Sequence, residues 1–157
     1  MNRDERLKKR DAMRRLLWSW GNTADRIRRL ETERAAFRLM ADDARNTLKA
    51  QTLSGMPNGG QSSDLSDTVE RVIDMAQRYD EQSAKIDAEI TEAIRLRNCI
   101  SDCMRMLEPA HEKVLAYRYM DGHGWQYIAL KMNYDISSVH RIEAQAVDII
   151  AGMVEIG

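Results

Sequence analysis

An all-α fold is predicted by three features of the sequence. Two long stretches carry apolar residues at alternating three- and four-residue spacing, the seam of a helix that packs along its length. A tail from Leu107 to Met153 holds three short helical patterns split by two tight breaks. Only two prolines occur among 157 residues, and glycine is concentrated in a few places, which favours long uninterrupted helices. The expected architecture is a long antiparallel helical hairpin, coiled-coil-like, followed by a compact C-terminal helix-turn-helix. Residues 1–107 would form the stalk, with a connector loop at 54–63, and residues 108–157 the second domain.

The first element, Asn2 to Trp18, is a basic helix whose apolar members are Leu7, Met13, Leu16, Leu17 and Trp18. Asp4, Glu5 and Asp11 are interspersed, so a partner helix is a better receiver than a membrane surface. Gly21 ends this helix, Asn22 or Thr23 caps the next, and Trp18 and Trp20 wedge the joint. The second helix runs from Thr23 to about Thr52. Its heptad seam is Ile27, Leu30, Arg34, Phe37, Ala41, Ala44 and Leu48, interrupted once by Arg34. The stretch from Ser54 to Ser63 is rich in turn residues. Its Gly-Gly pair is neither preceded by a strand nor followed by Lys-Ser/Thr, so it is a connector and not a phosphate loop.

Asp64 to Leu107 is the longest element. Val69, Val72, Ala76, Tyr79, Ser83, Ile86, Ile90, Ala93, Arg97, Ile100, Met104 and Leu107 keep the alternation without a slip. A one-sided seam of that length needs a partner along it. The connector returns the chain, so the second helix is expected antiparallel against its first part. The N-terminal helix would turn at Gly21 to cover part of the remainder or reach another subunit. Small seam residues (Ala76, Ser83, Ala93) and the polar Arg97 leave a two-helix seam thin, and a homo-oligomer through the long helices is expected.

In the tail, the first pattern starts at Pro109, well placed where a helix has no use for an N–H, and stops at Asp121-Gly122. The second puts Trp125, Ile128, Ala129 and Met132 on one face. The third follows Asn133-Tyr134-Asp135, with Asp135 as N-cap and an apolar stripe of Val139, Ile142, Ala146, Ile149, Ile150 and Met153. At about 100° per residue, Ser137, His140, Arg141, Ala144 and Asp148 point away from that stripe, with Ser138 on the flank. Helix, short turn and helix with an apolar inner wall is the arrangement whose last helix enters a DNA major groove. There Arg141 takes guanine bidentately, while Ser137, Ser138 and His140 donate to bases or phosphate. Lys131, Arg118 and Lys113 are candidates for phosphate contacts or for the fold alone. A small three-helix cap with a solvated polar face fits the same spacing.

These residues also resemble a known family. Leu115-x-x-Arg118-Tyr119, Gly122-x-Gly124-Trp125-x-x-Ile128-Ala129 and Ser138-Val139-x-Arg141-Ile142-x-x-x-Ala146 look like the region 4 domain of bacterial sigma factors. More closely, they resemble the sigma-region-4-like tail of phage transcription regulators of the ArpU and RinA kind. The resemblance covers roughly Met106 to Met153. A weaker likeness to phage proteins that carry this tail runs upstream through Leu53-Ser-Gly-Met-Pro and Ser63-Asp64. It implies double-stranded DNA as partner, contacted by Ser137, Ser138, His140 and Arg141, RNA polymerase as a second partner, and action at late promoters in the host cytoplasm. Where the family has Ser or Thr to cap the second helix, this chain has Gly124, so one backbone-contacting hydroxyl is lost.

Charge argues the other way. Residues 1–50 hold 14 Lys and Arg against 8 Asp and Glu, residues 51–108 hold 6 against 11, and residues 109–157 hold 4 against 6. A DNA-binding module is expected to carry a basic footprint. An isolated tail should therefore bind weakly, unless dimerisation, the basic N-terminal segment or a docked polymerase assists. Two further readings stand beside regulation: a small terminase-like packaging subunit, and a coiled-coil adaptor that touches RNA polymerase without reading DNA. Cys99 and Cys103 share a helical face and read as small apolar residues in a reducing cytoplasm. His111, His123 and His140 are too scattered for a triad or a metal set, so no enzyme, cofactor or metal is expected. No stretch approaches a membrane span or a signal peptide.

Overall fold

The structure, a computed structural model, describes residues 1–53 and 62–156. Six α-helices and one π-helical turn make up its regular elements: α1 (Arg3–Gly21), α2 (Thr23–Leu53), α3 (Ser62–Arg105), α4 (Pro109–Leu115), the π turn Ala116–Met120, α5 (Trp125–Met132) and α6 (Ile136–Ile156). No strand occurs among the described residues, so the fold is all-α. The connector expected at 54–63 lies outside the described residues except for Ser62 and Ser63, which open α3.

Residues 27–92 form one compact unit, the pairing of α2 with the first part of α3. Every residue expected in the α2 seam, Ile27 through Leu48, is buried or half-buried, and so are Val69, Val72, Ala76, Tyr79, Ser83, Ile86 and Ile90 opposite. The interrupting Arg34 has a reason to be there. Its guanidinium meets the Asp87 carboxylate at 2.5 Å, joined by Arg38 at 3.3 Å. The Arg34 hydrogen bond holds the Asp87 carboxyl below its ordinary range. Further along, Arg45 pairs with Asp80, and the Phe37 and Tyr79 rings lie 6.2 Å apart. Arg34 meets Asp87, whereas Arg45, farther along α2, meets the earlier Asp80, so the helices run antiparallel. Exposed ion pairs add little stability, but several in series select one register.

The second unit joins residues 1–26 to 93–157. This partition departs from a boundary near residue 107, and the cause is α1. Rather than covering more of the long helix alone, α1 packs on α6 and the π turn. Met13, Leu17 and Trp20 of α1 share one core with Ile100, Met104 and Leu107, with Leu115 and Tyr119, and with Ala146, Val147 and Ile150 of α6. The buried stripe of α6 is correspondingly rotated from the one expected: Val147 is fully buried, while Ile149 is 40% exposed. A second cluster, Val114, Ile128, Ala129 and Val139 with Tyr117, Trp125, Met132 and Ile142 against it, closes α4, α5 and α6 upon one another.

Local chemistry sets the joints. At the α1–α2 corner the Asn22 N–H donates to the Trp18 carbonyl and the Thr23 hydroxyl to that of Ser19. Gly21 is needed there for close approach as well as for ending a helix: a Cβ at this position would overlap the Tyr119 carbonyl oxygen. Gly122 (φ 70°) and Asn133 (φ 57°) take left-handed backbone at the ends of the π turn and α5, the breaks expected from the sequence. Cys99 and Cys103 are free and half-buried, and burial pushes the Cys103 thiol up.

Two arginines of α1 fasten it to α6. Arg10 grips Asp148 with bonds of 2.9 and 2.6 Å. Arg14 grips Glu143 with bonds of 2.9 and 2.8 Å, and the Tyr119 hydroxyl donates to the same carboxylate at 2.7 Å. Glu143 is 1% exposed. Burial drives the Tyr119 phenol well above its ordinary pKa, while the bond to Glu143 raises that of Arg14. Arg14→Ala strands a carboxylate with a single neutral donor and is expected to destabilise by roughly 3–5 kcal/mol. Glu143→Gln, which leaves neutral groups and an arginine able to reach water, should lose less, about 1–3 kcal/mol. Urea denaturation of the two variants checks the order.

Candidate nucleic-acid interface

α6 begins where its cap dictates. The Ser138 N–H donates to Asp135 Oδ1 at 3.0 Å, which satisfies one of the unpaired donors of the first turn. The Ser138 hydroxyl, then its N–H, then the Ser137 hydroxyl hold the Asp135 carboxyl below its ordinary range. Asp135 is therefore the N-cap expected from the sequence. Ser138 is half-buried, and its N–H is the donor given to this cap.

Ser137, His140 and Arg141 are exposed on one edge of the first two turns of α6. Arg141 forms no ion pair among the described residues. Farther along, the same side is closed: Ala144 and Asp148, expected to face outward, are half-buried, and Asp148 is taken by Arg10 of α1. The free edge of α6 is thus confined to its N-terminal half.

Arg118 stands apart from the other cations. Its guanidinium lies 4.4 Å from the Trp125 ring centre and 5.2 Å from that of Trp18, and it donates to the His123 carbonyl at 3.1 Å. It is half-buried against two indoles, contacts that hold the π turn whichever of its two expected roles it fills. Trp125 carries these contacts outward, its ring centre 4.3 Å from that of the tilted His140 ring. Lys113 of α4 and Lys131 of α5 are both exposed and line one groove of about 350 Å³ with Pro109, Ala110, Tyr117, Met132 and Tyr134. Lys131 Nζ also lies 5.6 Å above the Tyr127 ring, which stacks on His123 at 3.9 Å. Two cations distant in sequence therefore share one surface.

Packing of α1 also changes the electrostatics of the tail. Residues 1–26 carry eight Lys and Arg against four Asp and Glu, and residues 93–157 carry seven against eight, so the unit they form has a formal charge of +3. Glu143 and Asp148, two acids that make the tail negative, are both paired to α1 arginines. Among the described residues no group of three or more His, Cys, Asp or Glu is placed to hold a metal ion, and no helix is long and apolar enough to cross a membrane.

The Glu143 hub and the indole stack were missed in the sequence. Glu143 had a signal: a carboxylate between Val139, Ile142, Ala146 and Val147 interrupts an apolar face and calls for a buried partner. The stack had none, because Trp18, Arg118, Trp125 and His140 meet only through the fold.

The Asp135 cap yields a pH dependence. A carboxyl held below its ordinary value in the folded chain contributes stability above its unfolded pKa and loses it as pH falls through the lowered one. Protection factors of the Ser138 and Val139 amides are expected to hold at pH 5 and to fall several-fold only below the usual carboxylate range. Asp135→Asn should keep protection and abolish this acid limb, whereas Asp135→Ala should lose protection at every pH.

No curated protein and no solved structure matches the chain. Residues 58–152 match a family described as protein of unknown function, DUF722. That stretch covers more than half of the sequence, from the approach to α3 through most of α6, and leaves out α1 and α2. The chain belongs to the DUF722 family.

Proposed function

We propose that this protein is a phage-type, sequence-specific DNA-binding transcription regulator in which α5, the Asn133–Asp135 turn and α6 work as a sigma-like helix-turn-helix. The observation that carries this reading is the free edge of α6. Ser137, His140 and Arg141 are exposed in its first two turns, the part of a recognition helix that meets base edges. Arg141 takes guanine through its two-pronged donor face, and Ser137 and His140 supply single donors beside it. Ser138, half-buried on the flank, supplies a further hydroxyl donor. Lys113 and Lys131 take backbone phosphates from their shared groove.

The +3 charge of the unit that includes α1 supports this reading where the tail alone argued against it. Self-association through the long helices is supported by the large apolar side chains that α2 and α3 leave exposed, Leu39 at 61% and Leu65 at 57% among them. On the family resemblance, the protein acts on late-gene promoters by recruiting or repositioning RNA polymerase. One observation favours the adaptor reading instead: α5 and the turn after it expose Tyr127, Leu130 and Tyr134, with Leu130 at 76%, a surface suited to a protein partner.

Selection from randomised duplex DNA separates the two. The regulator enriches a motif, and Arg141→Ala loses about 1–3 kcal/mol at one base-pair position only. An adaptor enriches none and is indifferent to the substitution. Lys113→Gln combined with Lys131→Gln is expected to weaken binding about equally for all sequences and to lower the slope of log affinity against log salt by roughly two. Fluorescence anisotropy over a salt series measures that slope.

A further inference from the structure

We infer that Trp125 is a positioning residue for base reading, holding the His140 imidazole in one orientation at the edge of α6. The inference rests on the proposed function and extends it to a residue outside the recognition helix. Trp125 opens α5, half-buried, with Gly124 as its N-cap. One side of its ring meets the Arg118 guanidinium at 4.4 Å, and its ring centre lies 4.3 Å from that of the exposed His140, at an interplanar angle of 44°.

An exposed side chain on a helix samples several rotamers, and binding must restrict them. Packing against a fixed ring restricts that freedom beforehand. The indole is itself fixed, because Arg118 behind it is tied to the His123 carbonyl and covered by Trp18 of α1. Trp18 in turn meets Tyr119 edge-on at 4.9 Å. A chain of contacts therefore runs from α1 through the π turn to one reading side chain. His140 donates to a base from a preset angle, whereas Ser137 and Arg141 adapt to what they meet.

The test uses the full-length chain as wild type and as His140→Ala, Trp125→Leu and Trp125→Phe. Leucine keeps apolar packing against the Val114–Ile128–Val139 cluster and removes the ring face, and phenylalanine restores a smaller ring. In the wild type, the His140 ring protons are expected upfield in the NMR spectrum, partly so in Trp125→Phe and not in Trp125→Leu. In selection from randomised duplex, His140→Ala should lose its preference at one base-pair position. Trp125→Leu should lose roughly 5- to 150-fold at that same position and little elsewhere, with Trp125→Phe recovering it. Retention of that preference in Trp125→Leu overturns the inference, as does a uniform loss over all positions. If the wild type enriches no motif, the base-reading role falls with the proposed function. Upfield His140 shifts in that case locate the failure in DNA reading and not in the ring contact.

Discussion

The buried carboxylate of Glu143 is the constraint around which the C-terminal half of the molecule is arranged. It lies at 1% exposure on the inner side of α6 and takes two bonds from Arg14 and one from Tyr119. A carboxylate at that depth is tolerable only with strong donors on both oxygens. Those donors come from α1 and from the π turn, so three separately coded segments must meet with little positional freedom. The surrounding apolar core supplies most of the driving force for the meeting, and the ionic hub selects one way of making it. Gly21 then becomes obligatory, because the end of α1 runs against the Tyr119 backbone at the distance the hub dictates.

The same arrangement decides what surface is left for a partner. By lying over the later turns of α6, α1 leaves Ser137, His140 and Arg141 as the open polar edge of its first two turns. By pairing with Glu143 and Asp148, it also removes negative charge from the helix that the proposed function places on DNA. Packing, burial and charge thus derive from one helix, and none of the three is visible in residues 109–157 alone.

Much of the fold was legible in the chain because it is periodic. The α2 and α3 seams, the Asp135 cap and the turns at Gly122 and Asn133 follow from local rules: apolar spacing, a free carboxylate before a helix, and residues that tolerate positive φ. The place of α1 was not legible. A basic amphipathic helix declares that it needs a partner but not which one, and Val147 looked no more inward than Ile149 until α1 was placed beside it. The candidate site divides the same way. The exposure of Ser137, His140 and Arg141 follows from helical geometry, whereas Lys113 and Lys131 share a groove, and Arg118 is withdrawn between two indoles, only through long-range packing. Ser138 fell between the two, on the flank by its angle and half-buried, with its N–H given to the Asp135 cap.

The span between α1 and α6 bears on how the chain matures. Arg10 and Asp148 are 138 residues apart in sequence. Translation adds about 5–20 residues per second, so the nascent α1 waits on the order of ten seconds before α6 leaves the ribosome. Through that interval Met13, Leu17 and Trp20 lack their final cover, whereas α2 and α3 can already pair. The core that α1 shares with α6 therefore closes last, and a product terminated before α6 keeps the α2–α3 pairing without that core.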